Sequence, residues 1–467
     1  MSLSSQHANL VSRRAFMRQG VCAALGATGL LSTIANLRML NAATSLQSDL
    51  AAPGDYKALV CLFLYGGNDA NNMLIPIDDT TYAAYAAARQ VLALPRDLIL
   101  PITPRTPDGR SYGLHPSMPE IQSLFTQGKA AMLCNVGTLV EPVTRERYRA
   151  RTARLPRQLF SHNDQSVQWQ TSRPDTTSRT GWGGRVADLV QSLNENQRLT
   201  MSISLAGTNQ FQVGATVSQY NVTTNGSIAL SGMSTNVATA NGIRTQAINS
   251  LLDMEKRNLF DMAYSQTLDG AIENDVVLRA ALEAAPNPTT VFPATSLGNQ
   301  LRMIARLIKA GPGLGFRRQI FFASVGGYDT HDNELVAHAS LLTNLSQSLG
   351  AFYNAAVEFG VENSVTAFTA SDFGRTFTTN GAGSDHGWGN HQLIVGGAVR
   401  GGDLYGTFPN LVINGPDDTG QGRWIPTTSV DEYSATLARW FGVAESELST
   451  ILPNLNRFPR PNLGFLG

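Results

Sequence analysis

The chain has 467 residues, 42% hydrophobic and 15% charged, with 35 basic and 35 acidic side chains. That apolar share can build a large core, which excludes a disordered chain and a small disulfide scaffold. The first 43 residues hold Arg13, Arg14, Arg18 and Arg38 and no acid, leaving 31 basic against 35 acidic residues beyond them, net −4. No nucleic-acid partner is expected of such a chain.

At the N-terminus, Ser12-Arg13-Arg14-Ala15-Phe16-Met17 precedes a short apolar run and then Asn41-Ala42-Ala43. Basic, apolar and small-residue regions in that order make an export signal, and the paired arginines resemble the twin-arginine type. Residues 1–43 are therefore expected to be read by the twin-arginine translocon and removed near Ala43. The mature protein would then be periplasmic or extracellular. Beyond the N-terminus, no apolar run reaches the roughly 20 residues of a membrane span.

The segment KALVCLFL (57–64) is continuously apolar, as a strand buried on both faces of a parallel sheet must be. Similar runs recur at 130–136, 201–205, 319–325, 365–370 and 392–395. Helical periodicity lies between them at 118–125 and 335–359; His338 falls on the apolar stripe of the latter and reads as core. Strands alternating with helices predict an α/β fold with a doubly wound, mainly parallel sheet. From 207 to 241 the composition turns to Ser, Thr, Asn and Gly, and a helical stretch follows over 243–285. The whole reads as one domain over 50–467 with a lid-like insertion at about 207–300. Cys61 and Cys134 sit in apolar runs, as buried thiols or as a disulfide pair.

Open α/β sheets bind ligands beyond the carboxyl ends of their strands. There the sequence places Asp69 after the first run, Asp329 and His331 after the fourth, and Asp372 after the fifth. Asp385, His386 and His391 follow in a glycine-rich loop. Asp and His side chains gathered at strand ends suit a divalent cation with oxygen and imidazole ligands. In an extended segment Asp329 and His331 point the same way. Each also has a structural reading: Asp69 and Asp329 as turn caps, Asp372 as a partner of Arg375. A second group is Phe160-Ser161-His162-Asn163-Asp164. Ser161 and Asp164 have capping-box spacing, yet a hydroxyl at a helix N-terminus is also placed for nucleophilic attack, with His162 beside it.

Several segments carry a family resemblance: GGNDANNMLIP, LHPSMPEI, GGYDTH, SDFGRT, DHGWGNH and GRWIPTTSVDEYSATLARWFG. They resemble the exported bacterial proteins grouped as domain of unknown function 1501, a family placed with alkaline phosphatases and sulfatases. The resemblance implies one or two divalent metals (Zn, Mn, Mg or Ca) above the sheet. It implies Asp69 and Asp372 at one metal, and Asp329, His331 and His386 at the other. Phe373 stands where the wider group has a metal-binding His, which removes a ligand from one site. The expected function is a metal-dependent hydrolase of phosphate or sulfate esters, small or polymeric, with Ser161 or a water attacking. The alternative is a non-catalytic binding or assembly protein on a degenerate hydrolase fold.

Overall fold

The structure is a computed structural model that describes residues 55–467 except 197–198, 229–230, 235 and 255–257. The predicted export signal lies outside the described residues. In chain order the strands are β1 (Lys57–Leu64), β2 (Leu74–Pro76), β3 (Leu100–Ile102), β4 (Tyr112–Leu114), β5 (Ala130–Gly137), β6 (Ser202–Ser204), β7 (Tyr220–Thr223), β8 (Gly226–Ser227), β9 (Arg318–Val325), β10 (Val365–Ser371), β11 (Arg375–Thr379), β12 (Ser384–His386), β13 (Asn390–Gly396), β14 (Leu404–Gly406) and β15 (Thr428–Ser429).

The central sheet runs β14-β5-β13-β10-β1-β9-β6-β7-β8, with β15 also on β5. β1 lies between β10 and β9, parallel to both, with Leu62 opposite Thr369 and Ala323. Every β1 residue after Lys57 is at most 2% exposed, which is why the segment is apolar without alternation. Burying one such Leu or Phe contributes about 1.5–3 kcal/mol. β13 runs antiparallel to both β5 and β10, and β8 antiparallel to β7. The sheet is thus mixed and mostly parallel. The apolar run at 392–395 could not reveal its direction, because a strand buried on both faces reads alike either way.

Helices cover this α/β sheet in two groups. Helix Trp182–Val190 packs on β9, Val430–Phe441 on β1 and β5, and His162–Thr171 on β10. In the second group, Glu334–Glu358 packs on Ser296–Ala310, on Pro119–Thr126 and on β13. Helix Val430–Phe441 opens on a complete capping box, Ser429 with Glu432, so the β15 end passes straight into a helix.

Two local expectations change. The stretch at 243–285 is two helices, Ala240–Asp253 and Leu259–Ala284, the second capped by Asn258, whose side chain accepts from the Asp261 N–H. The Ser/Thr/Asn/Gly segment before them, expected as part of a lid-like insertion, supplies β7 and β8, which extend the central sheet. Cys61 and Cys134 are buried free thiols on β1 and β5.

Candidate metal centre

β1 ends at Leu64 and the chain turns through Gly66, whose φ is +118°. A Cβ there would stand 2.4 Å from the Asp329 backbone nitrogen. Only glycine lets the end of β1 touch the loop that follows β9. That loop carries Asp329 and His331. Asp372 follows directly on β10, and the β11–β12 hairpin sets Arg375 opposite His386. A fourth segment arrives at Phe160, a non-glycine residue held at φ +71°, just before helix His162–Thr171 begins.

These segments bring four donor atoms together. Nε2 of His386 is 3.1 Å from Nε2 of His162, 3.0 Å from Nε2 of His331 and 3.3 Å from Oδ1 of Asp329. The same Asp329 oxygen lies 3.5 Å from His162 Nε2 and 3.0 Å from His331 Nε2. The donors of His162, Asp329 and His386 all fall within 4.8 Å of one another.

The far side of each ring explains the near side. His162 Nδ1 is 2.7 Å from Asp372 Oδ2, His331 Nδ1 is 3.1 Å from Asp385 Oδ1, and His386 Nδ1 is 2.8 Å from the Phe160 carbonyl oxygen. A carbonyl only accepts, so His386 Nδ1 carries the hydrogen; carboxylates impose the same choice on the other two rings. When neutral, all three rings therefore turn Nε2 lone pairs inward. Lone pairs about 3 Å apart repel unless a cation or a shared proton lies among them. Ligands at about 2.0–2.2 Å from one tetrahedral ion stand about 3.3–3.6 Å apart, close to the separations within the set His162, Asp329 and His386 and within the set Asp329, His331 and His386. The donor set, with an oxygen behind each imidazole, fits a divalent cation.

Arg375 anchors the acidic member. Its Nη1 donates to Asp329 Oδ1 at 2.7 Å and to the Gly66 carbonyl at 3.2 Å, and its Nη2 donates to the Ser384 carbonyl. Burial works to raise the Asp329 carboxyl, but the hydrogen bond and charge of Arg375, with His162 and His331, hold it below the usual carboxylate value. Burial lowers His386, reinforced by the charges of His162 and Arg375 and opposed by the Phe160 carbonyl and Asp329. Phe373 is fully buried and walls the cluster, its ring centroid 4.7 Å from those of both His162 and His386. Arg423 fixes the backbone there, donating from Nε to the His386 carbonyl at 2.7 Å.

The other residues predicted for the site stand elsewhere or act indirectly. Asp69 is fully buried and ion-paired to Arg89, which also pairs with Glu334 at 3.0 Å; a guanidinium occupies the place expected for a metal. Asp372 turns Oδ2 to His162 and to the Gly66 N–H, 3.1 Å away, and so backs a ring; it does not pair with Arg375. Its carboxyl is raised by burial, partly offset by His162. Asp385 likewise supports His331. His391 is buried, stacks on Phe408 with centroids 5.1 Å apart, and accepts the Asn135 N–H at Nδ1. Burial lowers its pKa to about 3, so it is a core histidine. Ser161 directs its hydroxyl to Asp164, 2.7 Å away. His338 is buried and hydrogen-bonded to Asn68, as its helical stripe predicts. Strand-end reasoning misses Arg89, which lies on a helix; its one signal is a lone cation closing the Ala-rich stretch YAAAR.

A family model described as "Protein of unknown function (DUF1501)" matches residues 56–441. The chain belongs to the DUF1501 family. No curated protein matches it at a significant level. Among solved structures, this chain is similar to the PsFucS1 sulfatase from Pseudoalteromonas sp., at 8% identity and a TM-score of 0.35, over 88% of this chain and 72% of that one. It is also similar to BT1596, a 2-O GAG sulfatase, at 8% identity and a TM-score of 0.29, over 85% and 74%. A mutant of the alkaline phosphatase PafA matches at 9% identity and a TM-score of 0.29, over 70% and 64%. Likeness at that level says nothing about activity.

Proposed function

We propose that this DUF1501 protein is exported through its twin-arginine signal and binds one divalent cation at His162, Asp329, His331 and His386, where it hydrolyses phosphate or sulfate esters. The observation that carries this reading is the set of three imidazoles with Nε2 turned inward, each backed at Nδ1 by an oxygen. Imidazoles with one carboxylate favour Zn or Mn over Mg or Ca, which prefer oxygen. A cation so held supplies charge to polarise the ester and to acidify a water.

The protein's own groups have separate tasks. Asp372, Asp385 and the Phe160 carbonyl keep the Nδ1 protons in place and the rings aimed. Arg375 keeps Asp329 ionised and turned toward the rings. Phe373 excludes water from one flank, while Asp329 and His331 stay nearly half exposed, leaving an open approach for an ester on a small molecule or a polymer. Ser161 would have to give up its bond to Asp164 to attack, so the nucleophile favoured is water.

One observation favours the second reading, a binding protein without catalysis. Among the described residues, no hydroxyl is hydrogen-bonded to the side chains of His162, Asp329, His331 or His386. A panel of aryl phosphate, phosphodiester and sulfate esters with added Zn²⁺, Mn²⁺ or Ca²⁺ separates the two. The hydrolase reading expects turnover that Asp329→Ala abolishes. Stoichiometric metal with no turnover on any ester would leave the binding reading in its place.

A further inference from the structure

The candidate centre occupies the carboxyl ends of the parallel strands. At the opposite end, where β1 and β5 begin, lies an open cleft of about 840 Å³. Its wall carries Lys57, Arg105, Lys129, Arg400 and Arg439 and no aspartate or glutamate. Five cations in one concavity concentrate a positive potential that solvent screens less than on a convex surface.

Three of the five are partly committed. Lys57 Nζ donates to the Trp440 carbonyl at 2.8 Å and lies 5.4 Å from the Trp440 ring centroid. Lys129 Nζ is 3.4 Å from the Gly397 carbonyl. Arg439 pairs with Glu445, outside the wall, while its Nε is buried without a partner. Lys57 and Arg439 thus also serve the carbonyl end of helix Val430–Phe441, where cations are favoured.

Arg105 and Arg400 have no such employment. Neither guanidinium makes an ion pair or hydrogen bond among the described residues, and both are exposed. They are nevertheless seated. Arg105 lies across Gly128, where a Cβ would come within 2.4 Å of its Nη2. Backbone bonds from Arg105 N–H to the Gly402 carbonyl, 2.9 Å, and from Gly401 N–H to the Gly128 carbonyl, 3.3 Å, tie these loops together. Arg400 is braced by Gly467, where a Cβ would stand 2.4 Å from its Nε. Placing two unpaired guanidiniums beside three further cations costs repulsion, and a ligand with several negative charges removes it.

We propose that this cleft binds ligands carrying two or more phosphate or sulfate groups, with Arg105 and Arg400 as the side chains that hold the anions. The site is separate from the candidate metal centre and does not depend on its function. Isothermal titration of the full chain with inorganic pyrophosphate and with a disulfated disaccharide, in chelator-free buffer, tests it. Both the wild type and His386→Ala are expected to bind at least one probe, and the probe that binds identifies the source of the anion. Arg105→Ala/Arg400→Ala is expected to weaken that binding by at least about tenfold, the scale of a lost charged hydrogen bond. Raising the salt to about 0.5 M should weaken it further, since the charges are open to screening. The single Arg105→Gln and Arg400→Gln variants serve if the double variant loses its melting transition. No binding by the wild type, undiminished binding by the arginine variants, or binding lost in His386→Ala would overturn the proposal.

Discussion

Which nitrogen of a histidine carries the proton is decided by the group behind the ring. At His162 that group is Asp372, 2.7 Å from Nδ1 and largely shielded from water. Asp372→Ala removes the acceptor while leaving all four inward donors present. Metal affinity should then fall by about 10- to 100-fold, the usual effect of losing such a support; competition with a chromogenic chelator measures it. An unchanged affinity would mean that His162 is not a ligand. Gly66 makes a second residue-scale prediction. Gly66→Ala would press a Cβ onto the Asp329 backbone and impose a φ that alanine resists. Urea unfolding should show a loss of at least about 1–2 kcal/mol, together with weakened metal binding.

At the scale of elements, helix Glu334–Glu358 begins inside a buried charge network. Arg89 bridges Asp69 and Glu334, and Ser384 donates its hydroxyl to Glu334 Oε2 at 2.5 Å. One guanidinium cannot balance two ionised carboxylates. Burial, and then the Asp69 charge, push Glu334 up to about 8; burial opposes ionisation of Asp69 too, but Arg89 and the Glu334 hydrogen bond hold it low. Folded Glu334 thus keeps a proton that the unfolded chain releases above about 4.5. Its contribution to stability is complete below that value and fades as pH rises through about 8. Thermal melts from pH 6 to 9 should fall with pH in the wild type and flatten in Glu334→Gln, which stays neutral. Equal slopes would show Glu334 already ionised in the fold.

Strands such as β1 and β10 were legible because burial on both faces demands an unbroken apolar run. β7, β8 and β14 were not, since short strands at the sheet's margins need no such run. Strand-end logic drew attention to Asp329, His331 and His386, whose donors do stand within 3.3 Å of one another in the structure. It could not tell an inward donor from a supporting one. Asp372 and His162 divide those tasks only through their contact across 210 positions, and Asp69 turns away because Arg89, on a helix, reaches it first.

For the molecule as a whole, the sheet separates two ends: acidic and imidazole groups gather beyond the strands' carboxyl ends, cationic groups beyond their beginnings. No helix among the described residues is long and apolar enough to cross a membrane. Any ligand that binds only the folded chain raises its melting temperature, by an amount that grows with the logarithm of its concentration over its dissociation constant. The most direct test joins that effect to composition: elemental analysis of the full protein purified after export from its native host, with melting recorded before and after chelation, for the wild type and Asp329→Ala. The wild type should carry close to one Zn or Mn per chain and melt lower once stripped, while Asp329→Ala should be metal-free and indifferent to chelator. A wild-type protein without metal, whose melting temperature added Zn²⁺ or Mn²⁺ does not move, would contradict the metal centre on which the proposed chemistry stands.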